Sequence, residues 1–279
     1  MTPAIVARSG AATHTGLRRA LNEDALLAQA PLFLVADGMG GHQAGDVAST
    51  TVIEGFAQLR GRPVLTIDDV SFTLARVRAA VDAIGGTTAP ADGGSMAGTT
   101  LSGVTIAAVD GVGYWLAINI GDSRTYRLSG GVLEQISVDH SVVQELIDAG
   151  ELRAADAPRD RRRNIITRAI GAGSTGEADY WMIPARVGDR ILVCSDGLSS
   201  EVDDEEIRTL LAMHEDPQAA AERLIDRALE HGGRDNVTAV VVDALHVTTR
   251  PGRDGAAGFD DEDIDSDTRP RAEAMGGMR

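Results

Sequence analysis

The chain has 279 residues, 43% hydrophobic and 3% aromatic, with a formal net charge of −16. That length suits one large domain or two smaller ones, with a core built mainly from Val, Ile, Leu and Ala. The acidic excess argues against non-specific binding to nucleic acid or an anionic membrane, and one cysteine excludes an internal disulfide framework.

In chain order, an apolar run at 32–36 reads as a strand, and 44–60 and 68–84 read as helices. A loop, Gly85-Gly86-Thr87-Thr88-Ala89-Pro90, follows the second helix. Strands are expected at 99–109 and 114–120, joined by a turn at Gly111-Val112-Gly113, with another turn at Ser129-Gly130-Gly131. A strand at 190–195 carries Cys194, expected as a buried, unreactive thiol. In 203–213, Asp203 and Glu206 suggest a variant capping box before Ile207, Leu210 and Leu211. In 216–231, Asp216 caps, Pro217 takes the first helical position, and Gly232-Gly233 ends the helix. A last strand begins near Val237 and runs through 237–242.

Strands often follow strands here, which disfavours a doubly wound parallel fold and points to antiparallel sheets covered by helices. From 248 the apolar periodicity fails, and eight acids stand against five arginines, so 248–279 reads as an acidic, disordered tail. Residues 1–15 lack a secretory signal. No window approaches about 18 uninterrupted apolar residues. A cytoplasmic location is the expectation.

Four aspartates recur at strand boundaries. Asp37, Asp122 and Asp196 follow apolar runs, and Asp235 precedes one. Any one of them alone reads more readily as a turn cap, and it is the four together that point to a shared site. If the sheets bring them together, their charges repel and their proton affinity rises unless a cation is present. Mg²⁺ and Mn²⁺ favour such oxygen ligands, and no His/Cys spacing suggests zinc. Upstream, Arg19-Ala20-Leu21-Asn22-Glu23-Asp24 offers a guanidinium matched to phosphate oxygens beside two acids. In Asp37-Gly38-Met39-Gly40-Gly41-His42 the glycines allow close backbone approach, and His42 could protonate a leaving oxygen.

Together with Gly98-Thr99-Thr100-Leu101, Gly121-Asp122-Ser123-Arg124, Arg168-Ala169-Ile170-Gly171, Cys194-Ser195-Asp196-Gly197 and Arg234-Asp235-Asn236-Val237, these segments resemble the 2C-type metal-dependent protein phosphatases, the PPM family, in its compact bacterial form. The resemblance covers about residues 10–245. It implies an α+β, four-layer αββα sandwich of two antiparallel sheets flanked by helices. It also implies a phosphatase domain over 1–247, with a flap at about 139–167.

Carried over by residue, Asp37 would bridge two Mn²⁺ or Mg²⁺ ions. Asp196 and Asp235 would complete the first site, and the Gly38 carbonyl would serve the second. Glu23 and Asp24 match the acidic pair near the second metal, and Asp122 with Asp196 matches a third, weaker site. Arg19 would hold the substrate phosphate and His42 would be general acid. Neighbouring Arg18 reads as a solvated side chain. The implied activity is hydrolysis of protein phosphoserine and phosphothreonine by a metal-activated water, with substrates of a serine/threonine kinase as partners and a monomer as the working unit. A non-catalytic phosphoprotein-binding regulator of the same fold and a two-metal small-phosphoester hydrolase are the rival readings. In the flap, Arg159, Arg161, Arg162 and Arg163 form a basic run that could help admit phosphorylated segments or could be merely solvated.

Overall fold

The computed structural model describes residues 3–40, 44–88, 97–174 and 176–250. Strands β1 (Ile5–His14), β2 (Asp24–Gln29) and β3 (Leu32–Met39) lead into helices α1 (Ala44–Ala57) and α2 (Ile67–Thr88). Next come β4 (Gly98–Thr99), β5 (Leu101–Val109), β6 (Val112–Ile120), β7 (Arg124–Ser129) and β8 (Val132–Gln135). After α3 (Val142–Asp148) and a 3-10 segment (Ala154–Arg159) follow β9 (Ile170–Gly171), β10 (Asp179–Pro184) and β11 (Arg190–Cys194). Helices α4 (Asp196–Ser199), α5 (Asp204–Met213) and α6 (Pro217–Glu230) precede β12 (Val237–Val247).

One sheet has the order β1-β12-β11-β7-β8 and the other β10-β6-β5-β3-β4-β9, with β2 paired to β3. Every pairing is antiparallel. The alternation of side chains along a strand explains the layering. On β3, Leu32, Leu34 and Ala36 face Val52, Phe56, Val77 and Val81 of α1 and α2. Phe33 and Val35 face the other sheet, among Trp115, Val193 and Val240. Both faces of β3 are buried, so its sequence is a continuous apolar run rather than an alternating one. The outer face of the first sheet buries Leu192 and Val241 against Ile207 of α5 and Leu224 of α6. The result is an α+β sandwich of four layers, helices on each side of two stacked sheets.

Local signals are met with some shifts. The β5–β6 hairpin pairs Val109 with Val112, so the turn is Asp110-Gly111, one residue earlier than expected. Both turn residues have positive φ, 51° and 81°, the type I′ geometry that Asp-Gly favours. Gly130 and Gly131, at 58° and 85°, close β7–β8 in the same way. Asp216 accepts from the Ala219 N–H with Pro217 in the first turn. Only half of the expected capping box forms. Asp203 accepts from the Glu206 N–H, but the Glu206 carboxylate turns to Arg227. Helix α2 runs on through Gly85 and Gly86 to Thr88, where a loop was expected. Its buried stripe of Val70, Leu74, Val77 and Val81 outweighs the roughly 1 kcal/mol that each helical glycine costs.

Cys194 is fully buried, and burial pushes its thiol up to about 12, which makes it a packing residue. Among the described residues no helix is long and apolar enough to cross a membrane. His42, Ala89 and Pro90 of the expected loop, and 251–279 of the expected tail lie outside the described residues.

Phe33 meets Trp115 edge-on between the sheets, ring centroids 6.4 Å apart. Phe33→Ala is expected to lower unfolding free energy by about 3–5 kcal/mol in urea titration. A loss below about 1 kcal/mol would contradict this packing.

Candidate active site

At one end of the sandwich β3, β6 and β11 finish and β12 begins, so the chain's strand-boundary aspartates arrive together by topology. They share a cleft of about 320 Å³ lined by Arg19, Glu23, Asp37, Gly38, Asp122, Asp196 and Asp235, with Thr100, Asn164 and Ile166 among the remaining wall residues.

Asp37 is fixed through its backbone. Past Val35, β3 leaves β5 and pairs with the short β4. The Asp37 N–H donates to Thr100 Oγ1 at 3.0 Å, and its carbonyl accepts from the Thr100 N–H and Thr99 Oγ1, both at 2.9 Å. Gly38 lies against other backbone. A Cβ there would stand 2.2 Å from the Gly45 carbonyl oxygen and 2.6 Å from that of Glu23. Gly197, after Asp196, does the same, since a Cβ would stand 1.9 Å from the Asn236 carbonyl oxygen. The glycine following each of these aspartates therefore lets one carboxylate-bearing segment press on the next.

Asp122 sits on the β6–β7 connection, after Gly121 at φ 101°. That turn is held by His140. Its Nδ1 accepts from the Gly121 N–H at 3.2 Å, its backbone N–H donates to the Gly121 carbonyl at 2.9 Å, and Nε2 contacts Asp179 at 3.1 Å.

Asp24 differs from the other expected acids. It faces Asp37 across the β2–β3 pair but lies behind the cleft wall, accepting from Ser195 Oγ at 2.8 Å and Thr238 Oγ1 at 2.6 Å. Its second oxygen is buried with no hydrogen-bond partner. Asn236 is a residue that sequence reasoning quoted without a role. Its amide donates to the carbonyls of Thr15 and Leu21 at 2.9 and 2.8 Å, and its oxygen accepts from the Glu23 N–H at 2.9 Å. One buried side chain thus fixes both sides of the Arg19 loop. Arg19 itself pairs with Asp235 at 2.7 Å and remains half exposed. Arg18 is exposed.

Burial and mutual repulsion raise the proton affinity of these acids. Asp37 is held well above the usual carboxylate range by burial, then by Asp24, Asp196, Asp122 and Asp235. Burial, then Asp196, pushes Asp122 up to about 8. Burial lifts Asp24 to about 7 against the hydrogen bonds from Thr238 and Ser195. Asp196 is raised by burial and by Asp235, and it stands within hydrogen-bonding reach of the Asp37 carboxyl. Burial also raises Glu23.

Among the described residues no three acidic, histidine or cysteine side chains close on one point as a ready-made metal shell. The donors are spread around a shared cleft. An oxygen-only donor set and raised proton affinities fit hard divalent cations that keep several waters. They do not fit zinc.

A family model described as protein phosphatase 2C matches residues 16–245. The chain is 40% identical to the serine/threonine protein phosphatase PstP of Mycobacterium tuberculosis over 267 residues, 93% of this chain and 50% of that protein. It therefore spans about half the length of that relative. It is 35% identical to the serine/threonine phosphatase stp of Listeria monocytogenes over 230 residues, 81% of this chain and 88% of that one. A crystal structure of the M. tuberculosis serine/threonine phosphatase PstP/Ppp superposes with a TM-score of 0.78 at 41% identity, covering 87% of this chain and 100% of that chain. The catalytic domain of PstP in complex with 2 manganese ions gives 0.74 at 39% identity, covering 87% and 100%.

In the metal-free fold Asp24 and Asp122 keep their protons to about 7 and about 8. In the unfolded chain they would release them near ~3.9. The fold then binds more protons than the unfolded chain between those values, so its stability falls as pH rises through the window. Cations in the cleft compete with the proton on Asp122, so thermal stabilisation by Mn²⁺ is expected to be larger at about pH 8.5 than at about pH 6. An equal or smaller shift at the higher pH would contradict the site.

Proposed function

This chain belongs to the protein phosphatase 2C family, and we propose that it hydrolyses phosphoserine and phosphothreonine esters in proteins, using divalent cations held by its acidic cleft. The observation that carries this reading is the cleft itself, where one arginine faces carboxylates contributed by the ends of both sheets.

Asp37, Asp196 and Asp235 would hold one Mn²⁺ or Mg²⁺, and Asp37, the Gly38 carbonyl and Glu23, through water, a second. The 2 manganese ions of the related PstP catalytic domain support that number. Asp122 with Asp196 would hold a third, weaker ion. Bound there, the cations would supply Lewis acidity, lowering the pKa of water and offsetting phosphoryl charge.

The chain's own groups do the rest. Arg19, half exposed at the cleft mouth, presents a planar fork to two phosphate oxygens and orients the ester. Asp235 and Arg19 hold each other in register until phosphate competes for the guanidinium. Asp24, through Ser195 and Thr238, ties the β2 end to β11 and β12 beneath the carboxylates. His42 is assigned the proton for the departing serine or threonine oxygen. The catalytic unit is residues 1–247, with a flap at about 139–167, acting as a monomer on substrates of a serine/threonine kinase.

The test is phosphate release from phosphothreonine and phosphotyrosine peptides with Mn²⁺, Mg²⁺ or EDTA. Release is expected from phosphothreonine with either metal and not with EDTA. Asp37→Asn is expected to lower turnover by about 10³-fold or more. Activity in EDTA, or near-normal activity of the variant at saturating Mn²⁺, would overturn the reading.

Asn236→Ala is expected to lower kcat/KM about tenfold in the wild-type background and by little once Arg19 is alanine, because both changes act on one loop. Losses that add in full would assign Asn236 a separate role.

A further inference from the structure

All 26 basic residues of this chain are arginine, set against 42 acids. Most described arginines are committed to carboxylates. Arg8, Arg62, Arg124, Arg127, Arg168, Arg190, Arg223, Arg227 and Arg234 each make an ion pair. Residues 159–163 depart from that pattern. Arg162 folds onto Asp160 with paired hydrogen bonds, and Asp160 also accepts from the Arg162 backbone N–H. Arg159, Arg161 and Arg163 are exposed and make no ion pair among the described residues. Three unneutralised guanidinium groups within five residues repel one another, and this chain has acids to spare.

Their location gives the repulsion a use. Two overlapping turns, Arg163 N–H to the Asp160 carbonyl at 3.3 Å and Ile165 N–H to the Arg162 carbonyl at 2.9 Å, carry the chain from these arginines into the cleft wall. The next residues, Asn164 and Ile166, line the cleft. The segment is anchored rather than free. Val142 donates to the Ile165 carbonyl, Thr167 to the His140 carbonyl, and His140 to Gly121 beside Asp122. The backbone that carries the arginines is therefore tied to the connection that carries Asp122.

We propose that Arg159, Arg161 and Arg163 form a docking surface for acidic side chains flanking the phosphorylated residue of a polypeptide substrate. This rests on the phosphatase reading above. An extended peptide advances about 3.3–3.6 Å per residue. With the phosphate seated in the cleft, carboxylates a few positions along such a peptide can reach the turn that continues into Asn164 and Ile166. The net charge of −16 repels an acidic segment at long range, and the turn offsets that repulsion beside the cleft.

The test compares the full chain with the Arg159→Gln/Arg161→Gln/Arg163→Gln variant in Mn²⁺. The probes are a phosphothreonine peptide with aspartates two to four positions from the phosphothreonine, the same peptide with serines there, and para-nitrophenyl phosphate. For the acidic peptide, kcat/KM is expected to fall about tenfold through KM, and for the other two to change less than about twofold. Equal losses on all three probes, or none on the acidic peptide, overturn the proposal. No activity of the wild-type chain on any probe would instead overturn the phosphatase reading beneath it. Should the variant fail to melt cooperatively, salt gives a second measurement on the wild-type chain. KM for the acidic peptide should rise between about 50 and 300 mM NaCl while that for the aryl phosphate does not, and parallel behaviour refutes the proposal.

Discussion

Glu23, Asp37, Asp122, Asp196 and Asp235 share one cleft, and bringing like charges together at recessed positions opposes folding. The protein resists it with rigid backbone. Asp37 is pinned by Thr99 and Thr100, the Asp122 turn by His140, and Asp196 and Asp235 by the contact of Gly197 with Asn236. Packed sheets carry these anchors, so the carboxylates cannot relax apart by local motion alone. Asp37 and Asp122 keep their protons to unusually high pH, and a hard divalent cation provides the other way to remove the repulsion. Stability and cation affinity are then linked properties of one feature.

The same arrangement explains why so many residues near the cleft are small and polar. Thr100 bonds both the Asp37 backbone and Ser123, Ser195 and Thr238 share Asp24, and Asn236 holds the loop bearing Arg19 and Glu23. Each replaces a hydrophobic contact with directed hydrogen bonds, which fix orientation more tightly than packing does. The Arg19–Asp235 pair extends this scaffold into the cleft, joining the Arg19 loop to the acid opposite it.

Much of the architecture was legible because burial leaves a strong mark on sequence. Strands β3, β5, β6, β11 and β12 are apolar on both faces or nearly so, and they stand out as continuous runs. Strand β1 did not, because its Ala, Ser, Gly and Thr residues form an edge strand that packs closely on α6, where a Cβ on Gly10 would stand 2.2 Å from the Gln218 nitrogen. Strands β2, β7 and β10 are short and mixed in polarity, and α4 is one turn beginning at the cleft residue Asp196. The cleft acids were legible as aspartates bordering apolar runs. The part played by Asn236 was not, since its partners Thr15 and Leu21 are 221 and 215 positions away and only the fold brings them near. Asp24 looked like its neighbour Glu23 in sequence, and only its hydrogen bonds from Ser195 and Thr238 show that its carboxylate is buried.

The central claim is that these carboxylates are gathered for divalent cations that hydrolysis requires. It is tested most directly by counting Mn²⁺ bound per chain by calorimetric titration of EDTA-stripped protein, with phosphothreonine peptide hydrolysis followed in the same preparation. The account predicts two tightly held ions, a third bound more weakly, and hydrolysis that appears as the tight ions bind. Full hydrolysis with no ion bound, or tight binding that leaves phosphothreonine untouched, would contradict it.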